Sequence, residues 1–246
     1  RLRVINLGGT AVGTGLTAPR DYIFLVVEKI REITGFGLAR GDNLMGETAN
    51  ADSFVEVSGI LKAHAVNVIK IANDLRLLHS LGEIVLPDLQ TGSSIMPGKI
   101  NPVMTEAAIQ AGIKVKANDF IIAEAASRGT LQINEFLPLA AHALLESIDI
   151  LSAVDRLLSI HVRNINADET RCRKYFEESP MIIAALLPST GYEKATELIR
   201  KYYASPAGNI RSFLEKELGK DLVERTFSPH HLTALGFKNN ERNTER

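Results

Sequence analysis

The segment TGSSIMPGKINPVMTEA, residues 91–107, concentrates groups that could bind an anion. Successive backbone N–H groups around Ser94–Met96 could form an anion-binding concavity. Lys99 adds a positive charge and Asn101 an amide donor, while the helix predicted to follow directs its positive end toward the same place. Together these groups would bind a carboxylate, or the dianion formed when a proton leaves the carbon beside one. The residues alone leave a second alternative open, an ordinary turn between helices.

Three long helices are predicted on either side of this segment: Ala51–His79, Val103–Ala126 and Phe136–Val162. A shorter helix is predicted at Arg20–Thr34. The long helices carry apolar residues on more than one face, which indicates burial on more than one side. At about 1.5 Å per residue, each would run for roughly 40 Å. Because one chain of this size cannot surround three such helices, we expect an all-α bundle completed by other subunits; the alternative is a large bundle within one chain.

The character of the sequence changes from about residue 166 onward. The predicted helices become shorter, as at Glu193–Tyr203 and Ile210–Leu218, while prolines and charged residues become more frequent. We therefore expect two parts, a helical-bundle domain over residues 1–165 and a small helical C-terminal domain over residues 166–246.

Composition excludes several classes of protein. The chain has 246 residues and a formal net charge of −1, and no basic stripe with interleaved aromatics suggests a nucleic-acid partner. No uninterrupted apolar run approaches the roughly 20 residues of a membrane span. A single cysteine, Cys172, excludes an intrachain disulfide, and no export signal is visible, so we expect a cytoplasmic protein. Arg1–Leu7 has the pattern of a helix end whose beginning lies elsewhere.

Two other candidate sites are less favoured. GGTAVGTG, residues 8–15, suggests a nucleotide-binding loop, but no predicted strand precedes it and the next helix begins only after Pro19. Close backbone packing is the better interpretation, because glycine permits near approach. The six histidines show neither an HExxH motif nor a metal-type spacing, so we expect no metal site.

The sequence GSSIMPGKINP resembles the signature of the aspartase/fumarase superfamily, a GSSxMPxKxNP loop at the active site. We call residues 91–102 the signature loop. INLGGTAVGTGL, NDLRLL, LPDLQTGSS and TLQINEFLP also resemble the family, so the resemblance covers essentially the whole chain. INLGGTAVGTG, LPDLQ and the LQ-N pattern at 131–134 are more similar to the aspartate ammonia-lyase branch than to the fumarase branch.

The resemblance implies a homotetramer whose core bundle and active sites are shared between subunits. It implies that residues 1–165 cover the latter part of the central domain, and that the N-terminal domain and the first part of the central domain are absent. The sequence departs from the family's pattern at one place, because the family usually carries a short Gly-Pro-containing turn between the positions of Ser80 and Leu81. We therefore expect these two residues not to be covalent neighbours.

The resemblance further implies deamination of L-aspartate to fumarate and ammonia through an aci-carboxylate intermediate. Catalytic roles fall to Ser93, as the base, and to Lys99. The residues expected to bind substrate are Ser94, Ile95, Met96, Lys99 and Asn101, with Ile95 and Met96 acting through their backbone N–H groups. Glu106 would orient a pocket histidine of another subunit. No metal or organic cofactor is needed.

Two alternatives to aspartate deamination stay open. Fumarate hydratase is the nearer one, because the same loop and the same dianion serve hydration. A non-catalytic helical scaffold is the other. In either enzyme, Gly92 and Gly98 suit a loop that closes over substrate.

Overall fold

A computed structural model of the protein describes residues 1–90, 92–204 and 209–236. These residues are predominantly helical, with only two-residue strands, which confirms the predicted all-α class. They form two compact units, Arg1–Asn166 and the residues from Ala167 onward.

The first unit contains the long helices and several short elements. In chain order these are β1 (Val4–Ile5), α1 (Arg20–Thr34), β2 (Ala39–Arg40), α2 (Leu44–Ala49), α3 (Asp52–Leu81), β3 (Ile84–Val85), α4 (Val103–Ser127) and α5 (Leu137–Val162), followed by β4 (Asn166–Ala167) at the boundary. The four predicted helices lie within two residues of α1, α3, α4 and α5.

Helix α4 packs along both α3 and α5, and the core of the first unit lies between these three helices. Small side chains permit this packing, since Ala65, Ala72 and Ala108 are fully buried. A Cβ at Gly112 of α4 would lie 2.5 Å from Ile69 Cγ1 of α3, so glycine lets these two helices approach closely. The hydrophobic layers therefore give α4, and the signature loop that precedes it, a rigid support.

The outward faces of the long helices remain apolar. Exposed side chains there include Ile60, Val66, Ile71, Leu77, Ile113, Phe120, Leu145, Leu157 and Ile160. Among the described residues, α5 alone is long and apolar enough to cross a membrane by length and composition, a test that core helices of soluble proteins also pass. The three helices thus carry more apolar surface than the described residues cover.

Two expectations about local structure are wrong. Helix α3 runs unbroken through Ser80 and Leu81, so no chain break or missing loop separates them. It ends at Gly82 in the left-handed conformation, where the N–H of Gly82 donates to His79 and that of Glu83 to Leu78, both at 3.0 Å. Near the N-terminus, β1 pairs in parallel with β2, in place of the expected helix end.

The second unit has its own hydrophobic core. Its elements are α6 (Glu169–Glu178), a 3₁₀ helix (Pro180–Leu186), α7 (Leu187–Ala204), α8 (Ile210–Leu218), α9 (Lys220–Thr226) and α10 (Pro229–Leu232). The most buried core residues are Leu186, Leu198, Ile210, Leu214 and Val223. Helix α8 has the predicted bounds, whereas α7 begins six residues before the predicted helix and is kinked at Gly191.

Candidate active site

The signature loop leads into α4 and is built from closed turns. Thr91 lies outside the described residues, so the described part is 92–102. Its hydrogen bonds to other described residues lie within the loop or reach the first turn of α4. The loop is therefore a structured element with its own internal bonding.

The first turn is organised by the hydroxyl of Ser93. Ser93 Oγ accepts hydrogen bonds from the backbone N–H of Ile95 at 3.0 Å and of Met96 at 2.9 Å. Serine commonly closes such turns by bonding to backbone groups two and three residues away. Two N–H dipoles therefore point at one oxygen, an arrangement that would stabilise negative charge on it.

The second turn comprises Met96-Pro97-Gly98-Lys99. The N–H of Lys99 donates to the carbonyl of Met96 at 3.3 Å, and Gly98 has φ +77°. Proline at the second position and glycine with positive φ at the third are the residues that a type II turn requires. This turn reverses the chain and brings Lys99 back toward Gly92.

Two hydrogen bonds join the sides of the loop at its base. The N–H of Gly92 donates to the carbonyl of Lys99 at 2.8 Å. Asn101 Nδ2 donates to the carbonyl of Gly92 at 3.1 Å. We call these two bonds the base clamp. The clamp connects the residue before Ser93 to Lys99 and Asn101 on the opposite side.

The N-terminus of α4 uses much of its own donor capacity locally. The N–H groups of Thr105 and Glu106 both donate to the carbonyl of Pro102 at 3.1 Å, and that of Val103 donates to Asn101 at 2.8 Å. The buried Thr105 hydroxyl also donates to Pro102, at 2.7 Å. Because these N–H groups are already bonded, the helix end acts on the loop mainly through its dipole and offers it few free N–H donors.

Charge and exposure differ across the loop. Ser93 and Asn101 are half-buried, whereas Ser94, Met96 and Lys99 are exposed and the Ile95 side chain is 87% exposed. Within the described part of the chain, Lys99 Nζ has no ion-pair partner. Its positive charge is therefore available to an anion.

The geometry brings the predicted residues together in one loop and adds detail that the sequence did not show. The Ile95 and Met96 N–H groups, assigned to a substrate carboxylate, donate here to Ser93. Glu106 lies in the first turn of α4 and is half-buried, and its carboxylate has no ion pair among residues 1–90, 92–204 and 209–236. The sequence did not predict the base clamp, although the Pro-Gly pair at 97–98 indicated a tight turn that reverses the chain.

The glycine-rich segment 8–15 is a packing feature. A Cβ at Gly13 would lie 2.4 Å from backbone atoms of Leu44 and Met45, and one at Gly8 would lie 3.1 Å from the backbone of Ile23. This agrees with the favoured interpretation of close backbone approach. The described ranges also contain no group of three or more His, Cys, Asp or Glu side chains placed to hold a metal ion.

Comparison with known proteins finds that the chain is similar to lyases. Residues 1–117 match a family described as Lyase. The chain is 41% identical to an aspartate ammonia-lyase of Helicobacter pylori over 238 residues, which cover 94% of this chain and 51% of the relative. It is 37% identical to "Fumarate hydratase class II 2" of Pseudomonas aeruginosa over 243 residues, which cover 96% of this chain and 53% of the relative.

A solved structure is also similar. The crystal structure of a fumarate lyase:delta crystallin from Brucella melitensis has a TM-score of 0.82 and 38% identity, covering 92% of this chain and 52% of that one. The chain thus spans about half the length of the curated relatives it matches. Sequence identity, fold and signature loop all make the chain similar to members of the aspartase/fumarase superfamily.

Proposed function

We propose that the enzyme containing this chain is an aspartate ammonia-lyase, which reversibly converts L-aspartate to fumarate and ammonia. The observation that carries the proposal is the signature loop, where the Ser93 hydroxyl accepts hydrogen bonds from two backbone N–H groups. The ammonium of Lys99, close by in sequence, has no ion pair within the described residues. Relatives named aspartate ammonia-lyase, at 38–41% identity, support the same reaction.

The reaction requires a strong base and a place for two negative charges. A base removes a proton from the carbon beside the side-chain carboxylate, and the electron pair moves into that carboxylate to form an aci-carboxylate. The carbon–nitrogen bond then breaks, the ammonium group leaves as ammonia, and the carbon–carbon double bond of fumarate forms. Stabilising the dianion is the difficult part, so donors must lie where charge develops.

Ser93 is the proposed base. A serine hydroxyl takes a proton effectively only as an oxyanion, and the Ile95 and Met96 N–H groups would stabilise that oxyanion through charge-assisted hydrogen bonds. After Ser93 takes the substrate proton it is neutral. The same two N–H groups then become available to the aci-carboxylate, which reconciles their observed bonds with the predicted substrate contact.

Lys99 and Asn101 are the proposed partners of the substrate's carboxylates. Lys99 would bind through its ammonium group, which forms no ion pair in the part of the chain that the structure describes. Asn101 carries two N–H donors, and because the carbonyl of Gly92 takes one of them, the other is free for substrate. Ser94 would assist in binding, and Glu106 would orient a histidine of a neighbouring subunit. The proposed chemistry uses no metal or organic cofactor.

The assembly that we propose is a cytoplasmic homotetramer with shared active sites. The exposed apolar side chains of α3, α4 and α5 support it, because subunit contact would bury them. Residues 1–165 would belong to the central domain and residues 166–246 to the C-terminal domain. The remaining substrate contacts would come from other subunits and from parts of the enzyme that this chain does not cover.

Fumarate hydratase remains the alternative, favoured by the similarity to a relative of that name. Incubating the intact enzyme with fumarate plus ammonium, and separately with fumarate in water, distinguishes the two. Aspartate in the first mixture and no malate in the second is the expected result. Malate in the second would support the hydratase, and no product in either would support a non-catalytic scaffold. Ser93→Ala should abolish product formation, whereas Ser94→Ala, which removes a proposed binding group but keeps the base, should lower it less.

A further inference from the structure

We propose that Gly92 is a positioning residue for the lyase reaction, which lets the two sides of the signature loop touch and so sets the placement of Ser93 relative to Lys99. This inference rests on the proposed function. Gly92 itself would contact neither substrate nor the reacting atoms. It would act through Ser93, the proposed base that follows it in the chain, and through Lys99, which lies across the loop.

Both backbone groups of Gly92 take part in the base clamp. Its N–H donates to Lys99 and its carbonyl accepts from Asn101, at 2.8 Å and 3.1 Å. Ser93 follows Gly92 directly, so the clamp fixes the starting point of the turn that presents Ser93 Oγ. Lys99 and Asn101 are held by the same two bonds. The proposed base and the proposed substrate-binding groups therefore share one anchor.

The absence of a side chain at Gly92 is what permits this contact. A Cβ there would lie 2.5 Å from the Lys99 carbonyl oxygen and 3.1 Å from both Cγ and N of Asn101. Steric contact is thus a sufficient reason for glycine at this position. The two hydrogen bonds of the base clamp hold Gly92 in place, whereas the sequence suggested a hinge there.

An alanine at this position would open the clamp. The contact with the Lys99 carbonyl would have to lengthen from 2.5 Å to at least 3.0 Å, and the atom that must move belongs to the backbone. A displacement of this kind moves Ser93 away from Lys99. Misplacing a reacting group by about 1 Å can cost about 10²-fold in rate.

The loss should fall mainly on kcat. Proton abstraction needs Ser93 at contact distance from one carbon, whereas the long Lys99 side chain can adjust to keep its hold on a carboxylate. We therefore expect Gly92→Ala to lower kcat by up to about 10²-fold and to change KM much less. General damage to the loop would instead raise KM as well.

The experiment compares three variants of the intact enzyme with the wild type. Gly92→Ala tests the clamp. Gly98→Ala is the matched loop control, because its Cβ would meet nothing within 4 Å although an alanine there would be strained at φ +77°. Gly59→Ala, within α3 and also with nothing within 4 Å, controls for added bulk elsewhere. Measurements are kcat and KM for aspartate, and amide hydrogen exchange at residue 92.

The expected result is a protected amide at residue 92 in the wild type, faster exchange in Gly92→Ala, and a kcat loss much larger than in Gly98→Ala. An unprotected amide in the wild type, wild-type kcat in Gly92→Ala, or an equal loss in Gly98→Ala would each overturn the inference. A wild-type enzyme that does not turn over aspartate would instead refute the proposed function, so the two failures are distinguishable.

Discussion

Replacing Ile95 with proline removes one of the two N–H groups that donate to Ser93 Oγ, because proline has no backbone N–H. The side chain itself should matter little, since Ile95 is 87% exposed. Ile95→Ala, which keeps the N–H and removes most of the side chain, is therefore the matched control. The pair of variants separates the backbone donor from the residue that carries it.

The size of the effect follows from the hydrogen bond that is lost. A hydrogen bond to a charged group contributes about 1.5–3 kcal/mol. Since about 1.4 kcal/mol corresponds to a factor of ten, losing one donor to the Ser93 oxyanion should lower kcat by about 10-fold to about 10²-fold. Ile95→Ala should change kcat by no more than the equivalent of about 0.5 kcal/mol, as for other surface substitutions.

Steady-state turnover of aspartate by the intact enzyme measures both variants. Proline also constrains the backbone, so amide hydrogen exchange at residue 92, in the base clamp, checks that the loop keeps its shape. Equal losses of kcat in Ile95→Ala and Ile95→Pro, or wild-type kcat in Ile95→Pro, would refute the proposed role of the N–H group.

Three further predictions concern charge, packing and pH. Lys99→Met should raise KM and lower kcat together, because it removes an ammonium with no ion pair in the described residues; an unchanged KM would argue against substrate contact. Gly112→Ala should cost about 1–3 kcal/mol of unfolding free energy through overpacking against Ile69, whereas Gly59→Ala should gain up to about 1 kcal/mol; equal denaturation midpoints would contradict this. Burial lowers the pKa of His161 from its ordinary value of 6.5, so the unfolded chain takes up the proton first. The contribution of neutral His161 to the free energy of unfolding is therefore complete above pH 6.5 and is lost as the pH drops below that value. In denaturant titrations, the free energy of unfolding of His161→Gln should fall less between pH 7.5 and 5.5 than that of the wild type.

The helical framework was largely predictable from sequence because its signals are local. Apolar residues at helical spacing define α3, α4 and α5, and glycine marks the ends of α1 and α3, where Gly35 and Gly82 adopt positive φ. The short strands were not predictable, since β1 and β2 pair across more than thirty residues and each contains only two. Continuity of α3 through Ser80 and Leu81 was mispredicted because the expectation came from relatives' spacing and not from the residues present.

The loop that holds the candidate site residues was predictable from sequence, whereas its internal hydrogen bonds were not. Residue types and the family resemblance selected Ser93, Lys99 and Asn101. They did not reveal that Gly92 bonds across the loop, because a close approach between two backbones leaves no pattern except the glycine itself. Glycine is equally suited to a hinge and to a contact, and only geometry separates these uses.

The hydrogen bonds that shape the signature loop also bear on the order in which the active site forms. The bond that spans the most residues, from Asn101 to Gly92, joins positions only nine residues apart. Such short-range closures form quickly and require no distant part of the chain. In the proposed homotetramer, the loop would therefore take its shape in a newly made subunit before any partner arrives. Association would then limit the appearance of the proposed activity by supplying the other substrate contacts, and dilution should abolish turnover while leaving this loop folded.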